Sequence, residues 1–427
     1  MTSAGRRQVG RTWWELWRPP LVGIAAVMLI AVGAAVLVGQ WRLWRETIED
    51  TRAQDFGIFF ASVRSFHDGR SLYAPIPPPP RFPSRTGQLN LNLPHTNLFF
   101  LPLGWLSHSA ALGAWVAASL AGFAWSTWRS LRELRWRLHP LSWLALAVYL
   151  IAWGPAAAFT LTIQLSFLLM LPVTAAWLHA RRTQPVGAGV WLGVAAAIKP
   201  FLLVLVPYYA IRRDARLLAV QTAVIGALVA MGVVVFGTGA YHEWFDQLSR
   251  ITWGPHYMNA SVFGLAERLL GRTFVAGFGQ YPGIKAAALV AVVPAILATT
   301  LAAAARVGRD AAGTDRAWAV LLLAALLVSP LGWVYYLWIV LWPVAAAIAH
   351  AQPWSRRHWR DALLIPGLAG WLWFRRSAAW GQPSVLASAT FASMYFWALL
   401  ALWAWTVGEA WLDRHRRQAD TGRVRPA

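Results

Sequence analysis

An aspartate directly after the first apolar run is the residue of this 427-residue chain whose placement most demands a chemical reason. Asp55 is the second residue of the segment QDFGIFFASVRSFHDGRSLYAP, from Gln54 to Pro75, in which aromatic residues lead to an Asp-Gly turn and a Leu-Tyr-x-Pro exit. A carboxylate at the edge of hydrocarbon is costly and is usually kept for function. Phe56, Phe59, Phe60 and Val63 are expected to face the bilayer while Arg64, His67 and Asp68 stay wet, as on an interfacial helix. Two roles for Asp55 stand side by side. It caps that helix, since carboxylates favour helix N-termini, or it is a reactive carboxylate.

Lys199 is the second such residue, one of two lysines among 38 basic residues. It sits between Ala-Ala-Ile and Pro-Phe-Leu-Leu. An ammonium at a proline break in apolar sequence pairs with an anion or faces a wet cavity; the alternative is a snorkelling side chain. Lysine is a point charge suited to phosphate, and an anion at that depth suggests a lipid phosphate. Gln164, in TIQLSF, is a polar residue within an apolar run, for which an interhelical hydrogen bond would account. His95, in NLPHTN, either orients a substrate or sits at headgroup level. Asn259-Ala260-Ser261 fits the N-glycosylation pattern. In SPLGWVYYLW, from Ser329, a helix-breaking proline precedes Trp333, Tyr335 and Tyr336, which form either an aromatic belt or a platform for a sugar ring.

The elements that must position these residues are membrane helices. Hydrophobic residues make up 58% of the chain and charged residues 13%, which excludes an ordinary soluble domain. The net charge of +21 would suggest nucleic acid in a soluble protein. Here the arginines lie in short segments between apolar runs, where they set topology, so no nucleic-acid partner is expected. With no cysteine, disulfides and thiolate chemistry are excluded. The 29 Trp and 10 Tyr suit two water–lipid interfaces.

Spans are expected at 21–40, 141–158, 161–179, 217–237, 284–305, 331–349 and 386–407. A re-entrant or short apolar piece and then a span occupy 96–127. Two short pieces broken at Lys199-Pro200 occupy 186–211, and short spans 317–329 and 361–374. This gives about 12 crossings, starting from an uncleaved first helix. With the N-terminus in the cytoplasm, the arginine-bearing segments 128–140, 180–185, 212–216, 306–316, 351–360 and the tail all fall inside; the Arg375-Arg376 pair does not. The loops 41–95, 238–283, the turn near Ser329-Pro330 and 375–385 then lie outside, and bring Asp55, Asn259 and the Trp333–Tyr336 cluster to one face. The organisation expected is a cytoplasmic segment 1–20, a transmembrane domain 21–407 and a basic cytoplasmic tail 408–427, disordered from Gln418. Pro77–Pro80 reads as a stiff spacer in the first outer loop. HExxH, Walker A and GxSxG arrangements, metal-spaced clusters and a DxD pair are absent, so neither a metal nor a cofactor is expected.

The early outer DF with its aromatics, followed by D-G-R-x-L-Y-x-P, resembles the first luminal loop of the polyprenol-phosphate-dependent mannosyltransferases of glycosyltransferase family 87, which have the GT-C fold. Five further matches follow in order. PHTNLFFLPL from Pro94 is similar to the family's proline-led segment. QLSFLLML from Gln164 resembles its G-Q-x-N-x-L-L element, with Ile163 and Ser166 in place of Gly and Asn. GVAAAIKPFLLVLVPYYAIRR from Gly193 resembles its Gly-x-x-x-x-x-Lys-Pro block. NASVFGLAERL from Asn259 resembles its N-x-S element. SPLGWVYYLWIVLWP from Ser329 resembles its Ser-Pro-x-x-Trp element, with Tyr335 and Tyr336 where members often carry His. The resemblance covers roughly 50–350.

It implies an all-α polytopic GT-C-type glycosyltransferase of the cell membrane with its active site on the outer face. Such an enzyme takes a sugar, mannose above all, from a polyprenyl-phosphate donor. It passes that sugar with inversion to a hydroxyl of a lipid-linked or polysaccharide acceptor, amid membrane lipids. Carried onto this chain, Asp55 is the general base, Lys199 and Arg64 bind the donor phosphate, and His95, Gln164, Asn259, Trp333, Tyr335 and Tyr336 bind substrate. Similar proteins use polyprenyl-phospho-arabinofuranose, which is an alternative donor. A transporter of an anionic lipid or solute is the alternative from another class, since a broken helix with a midplane charge is a transporter feature.

Overall fold

The computed structural model describes residues 13–49, 55–76, 89–248, 250–251, 254–270, 282–351, 359–372 and 384–422. Residues 1–12, the Pro77–Pro80 spacer, most of the basic segment 351–360, the Arg375-Arg376 pair and the end of the tail lie outside the described residues. Within them the fold is helical, with an isolated antiparallel bridge between Asn259 and Trp333.

Helix α1 (Trp13–Glu49) runs nine residues beyond the expected 21–40 span and lies at the periphery, where Ile24, Val27, Met28 and Ile30 are exposed. That surface suits lipid tails. Helix α2 (Asp55–His67) packs against the tight turn Leu101–Trp105 and against α3 (His108–Leu134). Phe56, Phe59 and Val63 are buried in the protein, with Phe59 stacked on Phe100 at 4.6 Å. The expectation that these side chains face the bilayer is therefore corrected: the apolar face of α2 is taken up by protein aromatics. Helix α3 reaches Leu134, so Arg129 and Arg132 stand on a helix rather than in a loop.

Helices α4 (Pro140–Ala152) and α5 (Gly154–Thr162) are bent by 46°. After them α6 (Ser166–Arg181) and α7 (Pro185–Ile198) form a tight hairpin. A short turn, Pro200–Val204, and α8 (Leu205–Ile211) carry the chain back. Helix α9 (Ala215–Phe236) crosses close to α7, where a Cβ at Gly193 would meet Val224 Cβ at 2.8 Å. Small residues are what allow two membrane helices to approach so closely. Helices α10 (Gly239–Leu248) and α11 (Val262–Leu270) precede the long α12 (Pro282–Arg306). Helix α13 (Ala311–Val328) is the core of the bundle, buried from Gly313 to Leu327 among α6, α12, α14 (Leu341–Ala351) and the last helix. Helices α15 (Leu364–Ala369) and α16 (Val385–Ala389) are short, and α17 (Met394–Gly422) takes in the first residues, 418–422, of the segment read as a disordered tail.

Seven described helices are long and apolar enough to cross a membrane, eight if α4 and α5 form one span. The chain is a multi-pass membrane protein. Among the described residues the expected count of about 12 crossings is not confirmed: the breaks at Ile163 and Lys199-Pro200 leave apolar pieces shorter than the roughly 20 residues a full span needs. The expected 161–179 span is instead the end of α5, a break and the 16-residue α6.

The bundle has two unlike ends. At one, Glu133 of α3 pairs with Arg181 and Arg182, Arg212 Nη2 donates to Val307 O at 2.6 Å, and Arg309 Nη2 donates to Arg212 O at 3.0 Å. Four of the expected basic segments thus meet there. At the other end stand Asp55, Gln164, Lys199 and Trp333.

Candidate active site

Gln164 is aimed by the break between α5 and α6. Ile163 takes a left-handed conformation there, φ 49° and ψ 46°, fully buried, with its carbonyl accepting from the Trp115 indole N–H at 3.1 Å. A β-branched residue in that region carries a strain of roughly 1–2 kcal/mol. The turn presents Gln164 Nε2 to Asp55 Oδ2 at 2.5 Å and to Tyr335 Oη at 3.3 Å. Asp55 is the first residue of α2 and half-buried.

Lys199 follows α7. Pro200 disfavours a helical conformation for the residue before it, and Lys199 is extended at φ −137° and ψ 100°. Its Nζ donates to Asn92 Oδ1 at 2.9 Å and lies 5.5 Å from the centre of the Tyr336 ring. Tyr335 and Tyr336 pack edge to face at 4.8 Å and are both buried. A continuous chain of contacts therefore runs from Asp55 through Gln164, Tyr335 and Tyr336 to Lys199 and Asn92. Burial pushes the Asp55 carboxyl up from 3.8 to about 6; the Gln164 hydrogen bond and the nearby Lys199 charge pull it down by less. Such a group is ionised at neutral pH yet basic enough to accept a proton.

The other expected residues are placed as follows. Trp333 is half-buried and stacks on Tyr335 at 6.1 Å, extending the tyrosine pair towards the surface. His95 is buried: its Nε2 is 2.9 Å from Ala197 O and its Nδ1 3.2 Å from Tyr241 Oη, so it ties the end of α7 to α10. Asn259 is fully buried. Its Nδ2 donates to Gly254 O and Pro330 O, both at 3.0 Å, and its Oδ1 accepts from Ser261 and from Gly332 N. It fastens the turn before Trp333 instead of facing a cavity. Arg64 is not brought to the cluster: it lies nine residues along α2, donates to Gly104 O at 3.0 Å and pairs with Asp68. Asn92 is the site residue that sequence reasoning missed. The signal for it was the run NLNLPHTN, in which three of eight residues are asparagines. Among the described residues, no group of three or more His, Asp or Glu is arranged to hold a metal ion.

Chemically, this arrangement offers a basic carboxylate and an ammonium in one cluster, each hydrogen-bonded to a neutral amide, with an aromatic face leading outwards. The model of glycosyltransferase family 87 matches residues 91–330, which include Asn92, Gln164 and Lys199. The chain is 27% identical over 386 residues to a polyprenol-phosphate-mannose-dependent alpha-(1-2)-phosphatidylinositol mannoside mannosyltransferase of Mycolicibacterium smegmatis, covering 83% of this chain and 82% of the relative. It is also 27% identical over 423 residues to the protein of the same description in Mycobacterium tuberculosis, covering 90% of each. No solved structure matches the chain.

Proposed function

Because the chain belongs to glycosyltransferase family 87, we propose that it moves a sugar, mannose by the likeness to its relatives, from a polyprenyl-phosphate donor to a hydroxyl of a lipid-linked or glycan acceptor. The reaction runs with inversion on the extracytoplasmic face, and the arginine-rich end of the bundle lies in the cytoplasm. The observation that carries this reading is the joining of Asp55 and Lys199 through one chain of contacts.

The acceptor oxygen attacks the anomeric carbon from the face opposite the phosphate. Its proton passes to Asp55 as the new C–O bond forms, and the electron pair of the breaking C–O bond leaves on the lipid phosphate. Lys199 stabilises the charge that grows on that phosphate; a cation aimed where charge develops is a large catalytic term in a water-poor site. Gln164 fixes the carboxylate, and Trp333 with Tyr335 and Tyr336 offers a ring face to a sugar. Exclusion of water by the buried tyrosines favours transfer over hydrolysis.

The test is Asp55→Asn, which keeps the shape and removes the basicity. The purified protein is expected to fold and bind donor while transfer falls by roughly 10²–10⁴-fold, the scale of a lost general base. Near-normal turnover would assign Asp55 to helix capping alone.

A further inference from the structure

A carboxylate and an ammonium in one desolvated site attract strongly and tend to close into an ion pair. Closed, the base would be weakened and the cation cancelled before any phosphate arrived. The two groups are near enough for the Lys199 charge to act on Asp55, yet among the described residues they form no direct ion pair. Each is bonded to a neutral amide instead, Asp55 to Gln164 and Lys199 to Asn92.

We propose that Asn92 is a positioning residue that holds the Lys199 ammonium off the Asp55 carboxylate, so that both charges remain available to substrate. This rests on the reading of Asp55 as base and Lys199 as phosphate binder.

The anchorage of Asn92 carries the inference. Its backbone N–H and its Nδ2 donate to Asn90 Oδ1 at 3.0 and 3.1 Å. Asn90 Nδ2 donates to Asn97 Oδ1 at 3.0 Å, and Asn97 Nδ2 to Leu93 O at 3.0 Å. The Tyr73 hydroxyl donates to Asn92 O at 2.5 Å. All three asparagines are buried. With Nδ2 and the backbone N–H of Asn92 both bonded to Asn90, the side-chain amide is held with Oδ1 towards Lys199. Helix α10 braces the frame from outside: Trp244 Nε1 donates to Leu91 O and Gln247 Nε2 to Tyr73 O, both at 3.1 Å. A buried amide triad with a braced backbone is far more than a solvated lysine needs. A carboxylate at 92 would orient Lys199 equally well but cancel the charge. The other titratable groups around the pair are Tyr335 and Tyr336 beside Asp55, His108 packed on Phe56 at the start of α2, and His95 with Tyr241 at the end of α7.

The test reads the titration of Asp55 itself in the purified full-length protein, from the carboxyl infrared band that Asp55→Asn abolishes. Asn92→Leu frees Lys199 to close on Asp55 and is expected to lower the midpoint by about one to three pH units, the effect of a nearby opposite charge. Adding Lys199→Met to Asn92→Leu is expected to remove that lowering. Asn92→Asp draws Lys199 into a pair of its own and is expected to raise the midpoint. Donor KM is expected to rise in both single variants. An unmoved or raised midpoint in Asn92→Leu overturns the proposal. Should that variant fail to fold, the near-isosteric Asn92→Asp decides alone, and an unmoved or lowered midpoint there overturns it. The band needs no turnover, so the fate of this proposal is separate from that of the reading beneath it, which fails if Lys199→Met leaves donor kinetics unchanged.

Discussion

Replacing Gln164 by leucine keeps the volume and deletes the amide that donates to Asp55 Oδ2 at 2.5 Å. A hydrogen bond to a charged group contributes about 1.5–3 kcal/mol. One pKa unit corresponds to about 1.4 kcal/mol, so losing a bond that favours the ionised form raises the Asp55 carboxyl by about one to two units. From about 6 in the native protein, it moves to roughly 7–8 in the variant by that conversion. A general base works only when ionised, so the rate is present above the folded pKa and lost as pH falls through it. The acid limb of kcat/KM, which reports the free enzyme, is thus expected near 6 for the native chain and at roughly 7–8 for Gln164→Leu. At pH 7 protonation alone then costs the variant up to about tenfold in rate, recovered by about pH 9. The assay is transfer of radiolabelled sugar from a polyprenyl-phosphate donor by purified enzyme between about pH 5 and 9. A limb that stays at its native position, or a deficit equal at every pH, refutes the link between Gln164 and the basicity of Asp55.

Lys199→Met is expected to raise the donor KM or slow transfer by roughly 10–150-fold, the equivalent of about 1.5–3 kcal/mol for a charge-assisted contact, and unaltered donor kinetics in a folded variant contradict the phosphate role. Ser71 is exposed on the α2 side of the bundle in a cysteine-free chain, so Ser71→Cys is expected to react with an impermeant maleimide on intact cells; reaction only after lysis reverses the assigned sides. At the far end, fully buried Asp315 accepts from Trp177 Nε1 at 2.9 Å and Arg181 Nε at 2.7 Å and meets His350 at 2.9 Å. Asp315→Ala is expected to destabilise the bundle by about 3–5 kcal/mol, the cost of orphaning a buried ion-pair partner, read as a lowered thermal midpoint in detergent, and a native midpoint contradicts this.

That Lys199 and Asp55 belong to one cluster follows from contacts; what marks them in the sequence is a lone ammonium before a proline in apolar sequence and a carboxylate where hydrocarbon begins. The orientation of α2 was not legible there: periodicity tells that a helix has an apolar face, not whether lipid or protein covers it. Phe56 and Phe59 look the same in sequence whether they meet a bilayer or Phe100 and Trp115. Asn259 matched a motif, yet every polar atom of its side chain is spent on a turn 70 residues away in sequence and on its own loop. Asn92 went unread because what distinguishes it is a partner more than 100 residues distant, and no local pattern carries that. The division of 161–179 was hidden because a single left-handed residue leaves no mark when it is isoleucine and not glycine.

That isoleucine sets backbone strain against side-chain packing. Glycine at 163 would take the same backbone angles without steric conflict and relieve roughly 1–2 kcal/mol, a sizeable share of what holds a folded chain together. It would also vacate a fully buried side chain and loosen the hinge from which Gln164 reaches Asp55. Emptying a large aliphatic site in a core costs about 2–5 kcal/mol, more than the strain it would relieve, so the left-handed turn is held in place by the packing of the side chain that strains it, and Gln164 is aimed at Asp55 by the same contact that keeps the bundle closed.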